Sequence, residues 1–303
     1  MRSAAIHLCM TTAIPWDLYR SFLAVLQEGS LSGAARALGL TQPTLGRQVA
    51  ALEQQLGVAL FTRSQTGLAA TDAATALRGH IEAMHSIAAS LERVAGGLGE
   101  NVRGAVRVSA SEVMGIEWLP PILARLRQTH PELEIELVLS NRVQDLVQRE
   151  VDIAVRMTPP RQDVLLATRV GSVTVGLHAH RDYLARKGEP ASVAELAQHD
   201  LIGFDLEIPF IRAAGKGFAQ WRREAFALRC DSDLGQLALL RAAAGIGFCQ
   251  HGVARRDAQL QALLPQISIA LPTWVAMHTD LRNSPRCKVV FDALASGLRA
   301  LIG

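Results

Sequence analysis

The apolar residues of this chain fall into two rhythms. Through the first hundred residues they recur at helical spacing, and beyond about residue 104 short apolar runs alternate with helical stretches. Leu18, Phe22, Val25 and Leu26 predict a helix from about Pro15 to Glu28, opened by the proline and closed by Gly29. Leu31, Ala34, Ala35 and Leu38 share one face of a second helix, which Gly39 stops because glycine readily takes positive φ. Thr41 is a good N-cap for a third, and Pro43 sits in its first turn, where the missing N–H is not needed. Leu45, Val49, Leu52 and Leu56 form the apolar stripe of that helix, which Gly57 ends. Its opposite face carries Gln42, Thr44, Arg47, Gln48 and Gln55.

Val58 to Phe61 and Gly67 to Ala70 read as two short extended pieces around Arg63-Ser64-Gln65-Thr66, a β-wing. One long helix then runs from Asp72 to about Gly96. Leu77, Ile81, Met84, Ala88, Leu91 and Ala95 form a heptad seam along it. A helix packed on its own domain would show a similar stripe; here the seam connects two domains, which favours a dimer interface. Gly96-Gly97-Leu98-Gly99 breaks the helix and opens a hinge to Gly104.

Beyond the hinge, strands are expected at Ala105–Ser109, Leu133–Leu139 and Val151–Val155. Helices are expected from Ser111 to His130, interrupted at Pro120 and Pro121, and from Arg142 to Glu150. This β-α-β-α-β order implies a parallel sheet. A second such unit begins at Val173–His178. It includes Asp200–Phe204, a helix near Leu234 to Ala244, Gly245–Cys249 and a late strand at Leu271–His278, before a closing helix from Pro285 to Leu301. Two α/β lobes joined by crossing strands make a periplasmic-binding-protein-like clamshell, with ligands in the cleft at the strand ends.

At 303 residues the chain has room for two or three domains, and 49% hydrophobic with 19% charged residues is ordinary for a folded protein. No run approaches the ~20 apolar residues of a membrane helix. Residues 1–14 hold one arginine and an apolar stretch broken by His7, with no small-residue cleavage site, so they read as a loose extension or Met10 as the start. Cys9, Cys230, Cys249 and Cys287 are scattered without a CxxC pair, which suits free thiols in a reducing cytoplasm. A thiol switch between Cys230 and Cys249 is the less favoured reading. The net charge of +3 says little about partners. Phosphate attraction would have to come from placement and from helix N-termini.

A helix, a tight turn and a second helix showing amide, hydroxyl and guanidinium groups make the sequence picture of a DNA-reading helix-turn-helix. Residues 16–72 resemble the DNA-binding domain of LysR-type transcriptional regulators. The resemblance rests on Phe22–Val25, Glu28–Ser30, Ala34–Leu38, Gln42-Pro43, Arg47-Gln48, Leu52-Glu53, Leu56-Gly57, Leu60-Phe61 with Arg63, and Thr71, all in register. Asp152–Arg156, Gly245–Gly247 and Pro285-Arg286 extend it to about residue 300. It implies an α + α/β fold: an extension (1–15), a winged helix-turn-helix (16–71), a linker helix and hinge (72–103) and a two-lobed effector-binding domain (104–303). Lobe I would comprise 104–170 and 279–303, and lobe II 171–278. The resemblance further implies a regulator of transcription controlled by a small-molecule effector of unknown identity. It would be cytoplasmic, dimeric through the linker helix and tetrameric through the effector domains, with RNA polymerase a further candidate partner and no cofactor or metal.

For DNA, the candidates are Ser32, Gln42, Pro43, Thr44, Arg47, Gln48 and Arg63. Arginine can fork onto guanine and glutamine can pair with adenine, and the wing arginine would meet the backbone or minor groove. Gly46 departs from the serine usual in the family and costs about 1 kcal/mol of helix stability relative to alanine. For the effector, Ser109, Ser111, Asn141 and Arg156 lie at strand ends of one lobe, and Phe204 and Cys249, with Asp205 and Gln250, at equivalent places in the other. Glu112 beside Ser111 argues against a strongly anionic ligand unless it turns outward.

Enzymatic readings do poorly. His178, His180 and His199 share no metal-ligand spacing with a carboxylate, no GxSxG, HExxH or P-loop string occurs, and Gly245-Ile-Gly247 is only a fragment of a dinucleotide fingerprint. A solute-binding module with a helical oligomerisation segment and no DNA role is the second reading, and a small-molecule enzyme on the α/β half the third. Neither explains base-reading side chains on one face of residues 41–48.

Overall fold

The computed structural model describes residues 14–64, 67–96, 102–141, 150–160, 164–206 and 221–302. The extension with Cys9, the glycine break and most of the helix expected from Arg142 to Glu150 lie outside them. The chain forms two compact units, 1–89 and 90–303.

In the first unit, α1 (Trp16–Glu28), α2 (Leu31–Leu38) and α3 (Gln42–Leu56) each end on a left-handed glycine. Two small clusters hold them together. Phe22, Leu52, Leu60, Ala74 and Ile81 make one, and Val25, Ala34, Ala35, Leu45 and Val49 the other. Each large side chain so buried contributes on the order of 1.5–3 kcal/mol. The wing is an antiparallel pair, β1 (Phe61–Ser64) and β2 (Gly67–Ala70). Gly67 has φ +139°, and a Cβ there would stand 2.9 Å from the Gly29 carbonyl oxygen, which accepts the Leu68 N–H. Only glycine lets the wing lie this close to the end of α1. Glu53 on α3 fixes the other end of the wing by accepting the Leu60 and Phe61 N–H groups.

Helix α4 (Asp72–Gly96) starts on Thr71, whose hydroxyl accepts the Ala74 N–H and donates to Ala59. The heptad seam divides along it. Ile81 is buried in the first unit's core with Leu77 packed beside it, whereas Met84 and Leu91 stand exposed, as does Ile87 next to the seam. The first turns of the seam serve the helix's own domain, and Met84 and Leu91 face outward.

The second unit is built on one eight-stranded sheet. Its strands are β3 (Gly104–Ala110), β4 (Leu133–Leu139), β5 (Ile153–Arg156), β6 (Leu165–His180), β7 (Leu201–Gly203), β8 (Phe226–Arg229), β9 (Ile246–Gln250) and β10 (Leu260–His278), in the order β4-β3-β5-β10-β6-β9-β7-β8. As the sequence pattern implies, β3 pairs parallel to β4 and β5. Asp152 secures this join: it is buried, and its carboxylate and N–H meet the N–H and carbonyl of Arg107.

The crossing strands are far longer than expected. The expected Val173–His178 is the second half of the 16-residue β6, and the expected Leu271–His278 is the end of the 19-residue β10. The two strands pair along most of their length, with Thr273 opposite Gly171 and Pro272 opposite Ser172. Glycine and proline usually mark a break, and here they sit inside paired strands beside a register shift at Thr273–Trp274, so the continuity is hidden in the sequence. Trp274–Met277 of β10 pair with β5, so β10 passes between the halves near that shift rather than after His278.

Around the sheet lie α5 (Leu119–Thr129), α6 (Arg181–Lys187), α7 (Asp233–Arg241), α8 (His251–Ala254) and α9 (Pro285–Ile302). The helix expected from Ser111 begins with a π-helical turn, Met114–Trp118, with Pro120 and Pro121 in the first turn of α5. Three of these elements, α6, α8 and β8, were not expected. The Gly245-Ile-Gly247 string belongs to packing: a Cβ at Gly245 would meet the Asp200 carbonyl at 2.2 Å, so glycine brings β9 against β7. The larger core runs through both halves, joining Val108, Trp118, Leu119 and Leu294 with Leu237, Leu240, Cys249 and Val253. A second, around Leu177, Tyr183, Leu196, Trp221 and Phe226, fills the far half.

Candidate nucleic-acid interface and interlobe site

Helix α3 buries Leu45, Val49 and Leu52 and presents Gln42, Pro43 and Arg47 to solvent. Thr41 caps it, accepting the Thr44 N–H at 3.4 Å, and the two threonine hydroxyls meet at 2.8 Å. The Arg47 Nε donates to the Pro43 carbonyl at 3.3 Å, which folds the guanidinium back over the first turn. That is the end where a helix offers unpaired N–H groups and partial positive charge.

Gln48 differs from its neighbours. It is half-buried, and its amide oxygen accepts the hydroxyl of buried Ser21 at 2.7 Å, tying α3 to α1. Ser32 is exposed in the first turn of α2, where the cap is Ser30, accepting the Gly33 N–H. Arg63 takes its place in β1, and its side chain lies outside the described residues. At Gly46 the nearest atom to a built Cβ is Leu31 Cδ1 at 3.9 Å, so nothing among the described residues requires glycine there.

In the second unit the structure joins Ser109 and Arg156. Ser109 is fully buried on β3, and its hydroxyl accepts from Arg156 Nη2 at 2.7 Å while Nη1 holds the Val155 carbonyl. Two residues on, the Ser111 hydroxyl is buried and has no hydrogen-bond partner among the described residues. Cys249 lies in the core rather than on a polar wall; burial pushes its thiol up to about 12, with Arg241 opposing, so it stays neutral. Phe204 is half-buried just past β7. Asp205 is held by Arg223 at 2.6 Å, and Asp231 accepts the Asp205 N–H.

Asn141 does not join Ser109 and Arg156. Its amide oxygen accepts the Glu112 N–H at 3.4 Å and its Nδ2 donates to Asp233 at 3.1 Å, on the N-terminus of α7. Glu112 crosses the same gap: its Oε2 accepts the Ser232 hydroxyl at 2.7 Å and the Leu234 N–H at 3.3 Å. Burial lifts the Asp233 carboxyl above the ordinary carboxylate range, and the Glu112 charge adds to that lift against the Asn141 hydrogen bond. The Ser-Asp pair ahead of α7 is a cap signal that sequence reading could have used. Nothing in the sequence points to Glu112, 120 residues earlier, as a second cap.

A second set of contacts joins the halves at Trp118. Its indole N–H donates to Gln250, a Cβ on Gly252 would stand 2.3 Å from its ring, and the Arg256 guanidinium lies over the ring at 4.5 Å. Arg241 meets the Glu117 carboxylate at 2.9 Å, which raises the arginine's pKa further. Among the described residues no cluster of three His, Cys, Asp or Glu side chains could hold a metal. No helix there is long and apolar enough to cross a membrane.

Residues 16–75 match the family described as bacterial regulatory helix-turn-helix protein, lysR family, and residues 99–299 match the LysR substrate binding domain. An HTH-type transcriptional regulator of Xanthomonas campestris pv. campestris is 31% identical over 178 residues, 59% of this chain. The match spans 52% of that relative, about half its length. Among solved structures, the LysR-type transcriptional regulator CrgA from Neisseria meningitidis aligns with a TM-score of 0.58 at 24% identity, covering 93% of this chain and 98% of its own. Full-length CbnR complexed with its target DNA aligns with a TM-score of 0.63 at 19% identity, covering 95% and 99%. At these identities the structures carry the fold alone.

Proposed function

The chain belongs to the LysR family, and on that premise we propose that it is a sequence-specific DNA-binding regulator of transcription, cytoplasmic, whose state is set by a small molecule held between the two lobes. The observation that carries the reading is the division of α3, with three apolar residues turned into the core and Gln42, Pro43 and Arg47 turned out. CbnR, a structural neighbour, was solved complexed with its target DNA, which supports the same use of the fold here. Arg47 and Gln42 read base edges. Pro43, Thr44 and Ser32 seat the helix, Arg63 contacts the backbone, and Gln48 contributes through whichever of its amide atoms Ser21 leaves free.

Two copies pair through the exposed half of the α4 seam, placing reading helices on half-sites about 34 Å apart, one helical turn of duplex. Two such dimers joined through the effector domains make the tetramer, and RNA polymerase is a partner at the promoter. The effector meets Ser109, Ser111 and Arg156, with Phe204 opposite and Asn141 at the rim, while Cys249 packs the core behind. The buried Ser111 hydroxyl, unpaired among the described residues, supports this, since a ligand acceptor or donor there would satisfy it. An effector that binds one arrangement of the lobes better shifts the population toward it.

The test is selection of bound fragments from the source genome, followed by operator titration of Arg47→Ala. The expected outcome is at least a tenfold loss of affinity, about 1.4 kcal/mol and within the ~1–3 kcal/mol of a good base contact, with circular dichroism unchanged. An unchanged operator affinity overturns the assignment.

A further inference from the structure

The N-terminus of α7 carries an occupant from the opposite lobe. Ser232, the cap residue, accepts the Gly235 N–H at 3.2 Å, and the Glu112 carboxylate takes the Leu234 N–H and the Ser232 hydroxyl. The backbone N–H of Glu112 in turn donates to Asn141, whose amide reaches Asp233 on the same helix end. Two residues of one lobe therefore close a ring of hydrogen bonds with three consecutive residues of the other. A helix N-terminus with a free N–H and a hydroxyl is where a carboxylate ligand binds, and here the chain supplies the carboxylate itself. Asp233 alongside places a second carboxyl at the same end.

We propose that Glu112 is an interlobe clasp and a specificity-determining residue: its tethered carboxylate fills the anion position on α7, holds the lobes together there, and closes that end of the cleft to anionic ligands. The inference rests on the reading of the cleft as the effector site and refines it. The group of an effector that meets this end is a cation or a neutral hydrogen-bond donor, while Arg156, beside Ser109, serves any acceptor elsewhere in the cleft.

The experiment uses the full chain and acetate as the probe, with sodium chloride at equal ionic strength as the control. In the wild-type protein acetate leaves the melting temperature and amide exchange where chloride does. In Glu112→Ala the Leu234 amide exchanges about tenfold faster, as loss of its charge-assisted hydrogen bond implies, while the Gly235 amide keeps its Ser232 acceptor. Acetate then restores protection saturably. In Glu112→Ala with Asp233→Asn, acetate acts at lower concentration because the neighbouring carboxyl is gone. Glu112→Gln keeps an acceptor for Ser232 and exchanges within a few-fold of wild type, unaffected by acetate. The clasp is overturned if Glu112→Ala exchanges like the wild type, if acetate and chloride act alike on it, or if acetate protects the wild type equally.

A metabolite screen by thermal shift on wild type and Ser109→Ala separates this from the parent reading. Acetate rescue with no metabolite shifting the wild type sinks the effector cleft and leaves the clasp. A Ser109-dependent metabolite shift without acetate rescue sinks the clasp alone.

Discussion

The indole N–H of Trp118 donates to the Gln250 amide oxygen at 2.6 Å, between two buried side chains 132 residues apart. Trp118 ends a π-helical turn in one half and Gln250 ends β9 in the other. A buried donor stripped of its acceptor costs about 1–3 kcal/mol. Gln250→Ala, which orphans the indole, is therefore expected to destabilise the second unit by about that amount. Trp118→Phe with Gln250→Leu, which removes both partners, should cost less than the sum of the singles. Urea unfolding followed by tryptophan fluorescence checks the first, and far-ultraviolet circular dichroism the cycle.

Gln48 and Ser21 allow stability to be separated from recognition. Removing the glutamine amide leaves a buried hydroxyl unsatisfied between α1 and α3. Gln48→Ala is expected to lower unfolding free energy by about 1 kcal/mol or more, and Arg47→Ala to leave it within about 0.5 kcal/mol because its side chain is exposed. Equal melting temperatures for the two variants would contradict the division of labour.

Gly46 stands in the middle of α3 with room for a side chain. Gly46→Ala should stabilise the protein by about 1 kcal/mol through helix propensity alone. If the bare backbone also faces the duplex, the same variant loses operator affinity while it gains stability, an opposition that thermal melting and operator titration together detect.

The outward half of the α4 seam predicts its own failure. Met84 and Leu91 are 42% and 64% exposed, with Ile87 beside the seam at 41%, on a helix whose earlier seam residue Ile81 is buried. Replacing Ile87 and Leu91 with Glu is expected to shift sedimentation equilibrium toward monomer without changing helix content. A variant that assembles like the wild type would assign these residues to solvent.

His178 is buried on β6 with Nδ1 against the Gly176 carbonyl, and its ring meets His251 edge-on at 5.0 Å. Burial depresses its pKa from 6.5 to about 4, and the His251 charge pushes the same way. The folded state therefore holds fewer protons than the unfolded one between those values. Its stability is fully present above about pH 6.5 and is lost as pH falls toward 4, by at most about 3 kcal/mol. Burial lowers His251 also, which adds in the same direction. Unfolding midpoints of wild type and His178→Gln from pH 7.5 to 4.5 should diverge in slope, the variant's being flatter.

The first unit was legible almost residue by residue, because its signals are local: caps, a proline in the first turn, glycine stops and period-3.6 stripes each act within a few positions. The signals that failed were those whose partners lie far along the chain. Gly171 and Pro272 look like breaks until each is seen paired across β6 and β10. Gln48 looks like a free base-reader until Ser21 is seen beneath it. Glu112 could be weighed only for its charge, because the helix end it caps lies on another lobe. That Ser109 and Arg156 come together was legible, since residues near the ends of two parallel neighbouring strands meet by register alone.

The crossing strands have a mechanical consequence. β6 and β10 run without a break from one half of the sheet to the other, hydrogen-bonded to each other on both sides of Gly171 and Thr273. Such a joint behaves as a torsion bar: the halves can turn about it through a small angle, but drawing them apart would rupture a ladder common to both. A rotation begun at one end is therefore delivered at the other as twist of the same two backbones, less what the register shift beside Thr273 takes up.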